Sequence, residues 1–394
     1  MRKARLSNPF AIRFREYSYV ILRILGLLVL SAISCASSAW AEYPYPQSSL
    51  ISSVVWDFAG MVKGGEGSDL WPVTWGKDGV TYVAWGDGGG PDGTNTACRT
   101  RFGLNRMTGS PPHYGFTEIW GCKADGTGCG ANATHDAACD APYGGTIAAL
   151  GVPDGLVAID DTLYALIWNS TDGEKLVYST NDGHSWTDPD TAFPYGTNGL
   201  FVPTSFVQHG KGDAGGSATY MYIAGEKYGT PHATYLARAP KATITNAATW
   251  EYFTGTATSP SWGSWNSATA IFYDAGAKLS VGRMQYFPLI GKYIYTETRG
   301  EIQKLGMYEA DTPWGPWKTI YMNDTWGDYG TTGGLWYSII PSSISEDNMT
   351  FYMTFSGYPT PVNWDNYNLI KGTFVLQPTT NARIPMSPFS LAIH

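Results

Sequence analysis

The sequence predicts an all-β fold, a five-bladed β-propeller, on three observations. Almost no helical periodicity appears after residue 41. Short β-branched and aromatic runs alternate instead with Gly, Asp, Asn and Pro turns. These runs fall into five units of one plan, about 70 residues each, and radial repetition of that kind protects sheet edges. Composition agrees: 394 residues hold 47 Gly, 16 Trp and 26 Tyr, and only 15% are charged. About a quarter is usual. A disordered chain, a coiled coil and a binder of nucleic acid through a basic surface are all excluded.

The elements follow in order. Residues 1–41 read as a secretory signal peptide. Arg2, Lys3, Arg5, Arg13 and Arg15 form a basic start, and an apolar run from Ile24 to Ile33 follows. Ala39-Trp-Ala41 then places small residues for cleavage before Glu42. The run is short for a membrane span. Ser34-Cys35 is a poor lipoprotein box, and an uncleaved anchor is the other minor reading. Removing six basic residues and one acid leaves 19 basic and 32 acidic residues, about −13 against a whole-chain −8. The expected product, 42–394, is one exported, acidic, monomeric propeller domain, secreted or periplasmic.

Within it the units lie near 54–121, 147–190, 198–253, 278–320 and 334–376. Val80–Trp85, Leu163–Trp168 and Lys175–Ser179 are typical strands. Tyr220–Ala224 should pair with Ala233–Ala237, Lys292–Thr296 with Gly306–Glu309, and Thr350–Phe355 with Leu369–Val375. Ser179-Thr-Asn181-Asp-Gly183-His-Ser185-Trp186 fits the Asp-box pattern S-x-D-x-G-x-x-W, with Asn for Asp. That turn is structural: Gly permits the bend and Trp packs between sheets. Cys98, Cys122, Cys129 and Cys139 lie within 42 residues. An even, clustered count in an exported chain reads as two disulfides stapling a loop insertion in or after blade one. Three connectivities remain open. Zinc is the competing reading, without the usual paired spacing.

A resemblance then emerges. Gly67-Ser-Asp-Leu-Trp-Pro-Val-Thr-Trp75, Asp78-Gly and Tyr82-Val-Ala-Trp-Gly-Asp87-Gly-Gly resemble the opening blade of a bacterial family long labelled a domain of unknown function. Arg101–Gly109, Leu236–Lys241 with Trp250–Gly255, and Tyr308–Trp317 fit its later segments. Members with assigned activity are five-bladed-propeller glycoside hydrolases that cut mycobacterial-type D-arabinan endolytically. The resemblance therefore implies a glycosidase of that kind. The cysteine insertion departs from the family pattern.

Glycoside hydrolysis needs two carboxyl groups, one giving a proton and one acting as base or nucleophile. Asp69 precedes the first inner strand, and Asp87 ends the next one before Gly88-Gly-Gly. An antiparallel hairpin brings these two ends together. The competing role for either Asp is capping a turn. Glu226 and Glu297 are other candidates for the partner acid, while Glu251 reads as a surface or packing position. Sugars offer C–H faces to aromatic rings and hydroxyls to guanidinium groups. Trp71, Arg106, Trp168, Arg283, Trp336 and Tyr337 are the candidate substrate-binding residues, although Trp and Tyr between blades often serve as packing.

Two other classes compete. A polysaccharide lyase would need a base and a cation, for which Tyr222 and Arg238, or His232, are the candidates. A non-catalytic glycan-binding propeller would use the aromatics alone. No EF-hand loop or HExxH motif appears, so no cofactor is expected. Asp and Asn are plentiful enough for a structural calcium, but no spacing fixes a site.

Overall fold

The computed structural model describes residues 43–65, 67–91, 100–120, 151–169, 173–193, 199–277, 282–299, 304–323, 326, 334–357 and 365–378. The leader and the four clustered cysteines lie outside the described residues. Two strands come first, β1 (Ile51–Trp56) and β2 (Val62–Gly64). Five antiparallel meanders follow. The first is β3 (Val73–Trp75), β4 (Thr81–Trp85), β5 (Gly103–Ser110) and β6 (His113–Trp120). The second is β7 (Val152–Ile159), β8 (Thr162–Asn169), β9 (Gly173–Ser179) and β10 (Thr187–Phe193).

The third holds β11 (Phe201–Gln208), β12 (Tyr220–Lys227), β13 (Thr230–Pro240), β14 (Glu251–Phe253) and β15 (Trp262–Gly263), with β16 (Phe272–Tyr273) also paired to β13. The fourth is β17 (Arg283–Phe287), β18 (Lys292–Arg299), β19 (Lys304–Ala310) and β20 (Lys318–Asn323). The fifth is β21 (Leu335–Ile339), β22 (Thr350–Ser356) and β23 (Tyr367–Leu376), and β1 completes it as the outer strand. Helical structure among the described residues is limited to short 3₁₀ turns.

The strand pairings predicted within the third, fourth and fifth units are present, for example Ala224 opposite Leu236, Tyr295 opposite Tyr308 and Phe351 opposite Gly372. One boundary differs. The first unit was expected to begin near residue 54, but Val54 and its neighbours pair with β23, and the first meander begins at Val73. A strand pairs where its apolar face is covered, and Ile51 and Val54 are buried in the fifth meander's packing.

Each meander packs on the next. Tyr82, Ala84 and Leu104 meet Leu156, Ala165 and Val177. Leu166 and Leu176 meet Phe206 and Ile223. Leu236 and Phe253 meet Met284, Tyr308 and Trp317. Phe287 and Met307 meet Phe351 and Ile370. Last, Tyr367 and Leu369 of the fifth meander meet Trp71, Val83 and Trp85 beside the first. Sheets covered on both faces lose the apolar–polar alternation. Accordingly every residue of β4 is buried, and seven of eight in β11.

The turn at Ser179–Trp186 has the Asp-box geometry. Asn181 Oδ1 accepts from Ser185 N–H at 2.9 Å, and Ser179 Oγ accepts from Gly183 N–H at 2.9 Å. Trp186 lies edge-on to Phe102 of the first meander, with ring centroids 5.7 Å apart. Asn thus fills the Asp role as an acceptor, and its amide also donates to Ser185 Oγ.

Candidate active site

The strands β3, β7, β11, β17 and β21 line one small cleft. Val73, Leu156, Ser205, Arg283 and Ser338 contribute to it, one from each meander. The candidate site gathers at the end where these five strands begin.

The loop before β3 is held there unusually firmly. Asp69 and Gly86 exchange both backbone hydrogen bonds, each 3.1 Å, so Asp69 lies directly across from the residue preceding Asp87. The predicted neighbourhood of these two positions follows from that bridge. A Cβ on Gly86 would lie 3.2 Å from Asp69 Oδ1 and 3.1 Å from Val152 Cβ. A Cβ on Gly88 would lie 2.2 Å from the Gly67 carbonyl and Ser68 Oγ. Only glycine permits the approach at Gly88, while the contacts at Gly86 are tight but can give by a few tenths of an ångström. Gly67 N–H bonds the Asp365 carbonyl at 2.7 Å, and Gly90 N–H bonds Ser68 Oγ at 2.8 Å.

Four of the ten described non-glycine residues with left-handed backbone lie at this end. Leu70 (φ 74°), Trp71 (φ 47°), Asp87 (φ 58°) and Trp336 (φ 53°) are all non-glycine. Each such residue costs of order 1–3 kcal/mol and persists where neighbours over-determine it. Trp336 sits in a bulge of β21, where the register slips between Leu335 and Ser338.

The other sequence candidates divide. Arg283 is buried, lines the cleft and donates from Nη2 to the Leu70 carbonyl at 3.1 Å. Its Nε has no hydrogen-bond partner among the described residues. Trp168 is half-buried at the same end, between Val152 and Glu174 on the flanking strands. The other three candidates lie elsewhere. Trp71 is fully buried, its indole donating to the Asn366 carbonyl at 2.8 Å and its ring 5.0 Å from Tyr367. Tyr337 is buried against Trp326 and Phe355, with its hydroxyl on the Gly334 carbonyl. Neither offers a ring face to a sugar. Arg106 is on the third strand of its meander, and its guanidinium lies 3.8 Å from Asp78, in the turn at the opposite end.

Among the remaining acids, Glu226 is the penultimate residue of β12, opposite Val202, at the candidate site's end. Glu297 is buried beside Tyr295 and Tyr45 in the packing between the third and fourth meanders. Glu251 pairs with Arg238, Oε2 to Nη2 at 2.6 Å.

Sequence reasoning missed two acids, Asp154 on β7 and Glu174 on β9. Glu174 is fully buried, and neither of its carboxyl oxygens has a hydrogen-bond partner among the described residues. The ladder steps from Pro153–Ile167 to Gly155–Leu166, leaving Asp154 as the extra residue of a bulge. Burial, first, pushes the Asp154 carboxyl up to about 7; the charge of Arg283 opposes this and that of Glu226 adds to it. Glu174 is pushed well up by burial and by Asp154. Burial pulls Arg283 down to about 10, which leaves it cationic at neutral pH. Pro153-Asp-Gly155 reads locally as a turn, so nothing in the sequence marked this pair.

The lyase candidates lie elsewhere. Arg238 is opposite Tyr222, but its guanidinium stacks on Tyr220 and Trp262, 4.2 and 4.5 Å from the centroids, and is bound to Glu251. His232 Nδ1 is engaged with the Ala277 carbonyl. Among the described residues no group of three or more His, Cys, Asp or Glu is arranged to hold a metal.

The family model described as "Domain of unknown function (DUF4185)" matches residues 152–370, from β7 into β23. No curated protein matches the chain. Among solved structures, a GH43_12 protein from a capybara gut metagenome is 12% identical with a TM-score of 0.45, over 82% of this chain and 57% of that one. A GH43_1 enzyme from Xanthomonas citri is 12% identical with a TM-score of 0.45, over 80% and 91%. A protein of unknown function from Dyadobacter fermentans is 12% identical with a TM-score of 0.43, over 82% and 100%. Likeness at this level fixes no substrate.

Proposed function

Because the chain belongs to the DUF4185 family, whose description names no activity, we propose its function from the site: a secreted glycoside hydrolase in which Asp69 and Asp87 are the catalytic carboxyl pair. Its substrate in this reading is an extracellular polysaccharide, a furanoside such as D-arabinan. The five meanders are the blades of a five-bladed propeller, and the site is the channel mouth beside the first blade. Support for the architecture comes from the five successive packing clusters, the last returning to the first.

The observation that carries the catalytic reading is the Asp69–Gly86 bridge, which sets two acids across one hairpin end beside a cleft lined by Arg283. One carboxyl gives a proton to the leaving oxygen and the other serves as base or nucleophile. Carboxyl groups about 5–5.5 Å apart would give retention, and about 6.5–9.5 Å inversion. Arg283 Nε would bond a sugar hydroxyl, and Trp168 and Trp336 would offer ring faces. The exported location rests on the leader, and no cofactor enters the reaction.

The test is a panel of polysaccharides that includes arabinan and arabinogalactan. Asp69→Asn and Asp87→Asn should each lose cleavage by about 10²–10⁴-fold while glycan binding is retained. Binding without cleavage by the unmodified protein would favour a glycan-binding propeller. Unsaturated uronate products would indicate a lyase. Unchanged cleavage in both variants would exclude the pair.

A further inference from the structure

We infer that Arg283, Gln285 and Ser338 form a buried binding site for one neutral O–H group, a resident water or a hydroxyl of a bound sugar, in the small cleft beside the Asp69 loop. The sugar source rests on the proposed glycosidase reading; the site itself rests on the side chains of this cleft.

Three observations carry it. First, all three residues line the cleft, and each is at least nine-tenths buried. Arg283 and Gln285 are two apart on β17 and so share one face of it, while Ser338 comes from β21. Second, each brings a polar atom with no hydrogen-bond partner among the described residues: Arg283 Nε, Gln285 Oε1 and Ser338 Oγ. Third, the other polar side chains of the cleft already have partners. Ser205 Oγ donates to the Gly282 carbonyl at 2.8 Å, and Thr296 Oγ1 to the Tyr337 carbonyl at 2.8 Å. Gln208 donates from Nε2 to the Leu156 carbonyl at 2.7 Å and accepts at Oε1 from Thr74 Oγ1 at 3.1 Å. Buried polar atoms of native proteins find partners, so three exceptions on one cleft point to a shared occupant.

These atoms define the occupant's chemistry. Arg283 Nε can only donate. Burial lowers its guanidinium to about 10, so it remains cationic at neutral pH and repels a metal ion. Gln285 Oε1 can only accept, and its amide orientation is set by Nε2, which donates to the Tyr286 carbonyl at 2.8 Å. Ser338 Oγ can do either. An ionised carboxylate or phosphate has no proton for Gln285, and an ammonium group has no lone pair for Arg283. A group that both accepts and donates is an O–H, as water and sugar alcohols carry. The cleft leaves about 20 Å³ for a water-sized group, enough for one such oxygen. Arg283 Nη2 donates to the Leu70 carbonyl at 3.1 Å, so the occupant would bond the same guanidinium that holds the residue after Asp69.

High-resolution crystals of the full chain, alone and soaked with arabino-oligosaccharides, test the site. Without sugar, one oxygen is expected within roughly 2.7–3.2 Å of all three atoms. If that oxygen persists beside a bound sugar, the source is a resident water. If a sugar hydroxyl replaces it, the source is the substrate. Gln285→Met and Ser338→Ala separate the same two sources in solution. With a sugar hydroxyl, each substitution should raise KM on the cleaved polysaccharide by roughly tenfold. With a resident water, KM should hold while Tm falls.

A sugar-free crystal with no oxygen at this point would overturn the inference. So would a bromide soak or a calcium soak that places its ion there by anomalous scattering. A protein that cleaves no polysaccharide yet holds the oxygen would sink the hydrolase reading and leave the site standing.

Discussion

Two glycines set the spacing of the proposed carboxyl pair, and they should respond differently to a methyl group. Gly86→Ala puts a Cβ 3.2 Å from the movable end of Asp69, so that carboxylate shifts by a few tenths of an ångström. Displacement of a reacting group by about 1 Å costs up to 10²-fold. Gly86→Ala should therefore lower kcat on the cleaved polysaccharide, with only a modest fall in Tm because Val152 Cβ at 3.1 Å must also give. Gly88→Ala drives a Cβ to 2.2 Å from the Gly67 backbone, which cannot yield so easily, and should lower Tm and activity together. Steady-state kinetics beside thermal melts would separate the two, and a Gly86→Ala enzyme of full activity would contradict the geometry. At this scale the neighbourhood of Asp69 and Asp87 was legible, because hairpin ends meet by construction. The buried Glu174 was not, because its burial depends on how neighbouring strands pack, which no local signal shows. Trp71 and Tyr337 show the same limit in reverse. An aromatic at an inner-strand entrance has one appearance in sequence whether it faces a channel or fills a core.

At the scale of elements, the turn between β9 and β10 shows how a local motif sets long-range packing. Gly183 has φ 85°, and a Cβ there would lie 2.3 Å from Leu104 of the first meander. Gly183→Ala combines backbone strain with overpacking and should cost about 1–3 kcal/mol. Urea unfolding measures this directly, and a loss below about 0.5 kcal/mol would mean that the turn is not tightly held. The motif and the hairpins of the third to fifth meanders were legible because turn residues and alternation are local signals. The assignment of residues 51–56 to the last sheet was not. Ile51 is opposite Leu376, and no local signal spans that separation.

That distant pairing is what joins the two ends of the described chain, and it makes a prediction about the whole molecule. Packing runs from the first meander to the fifth and back to the first, while the fifth takes its outer strand from β1. Without β1, strand β23 would be left with only β2 on that side, along Val62–Gly64, and its remaining backbone would become an open edge. β1 also buries Ile51 and Val54, at about 1.5–3 kcal/mol each. Ser48, just ahead of it, ties back to Glu309 of the fourth meander and to the Thr319 carbonyl. A chain shortened through Asp57 should therefore lose several kcal/mol, a large share of the stability of an ordinary domain, and should self-associate through the uncovered edge. A peptide of residues 48–57 added in trans should restore Tm and the association state of the full chain by re-forming the strand. Calorimetry and sedimentation with and without the peptide check both parts. A shortened chain that keeps the full chain's association state and Tm would show that closure does not depend on β1. Failure of the peptide to rescue, with the loss confirmed, would place the stabilising contribution in the covalent link rather than in the strand.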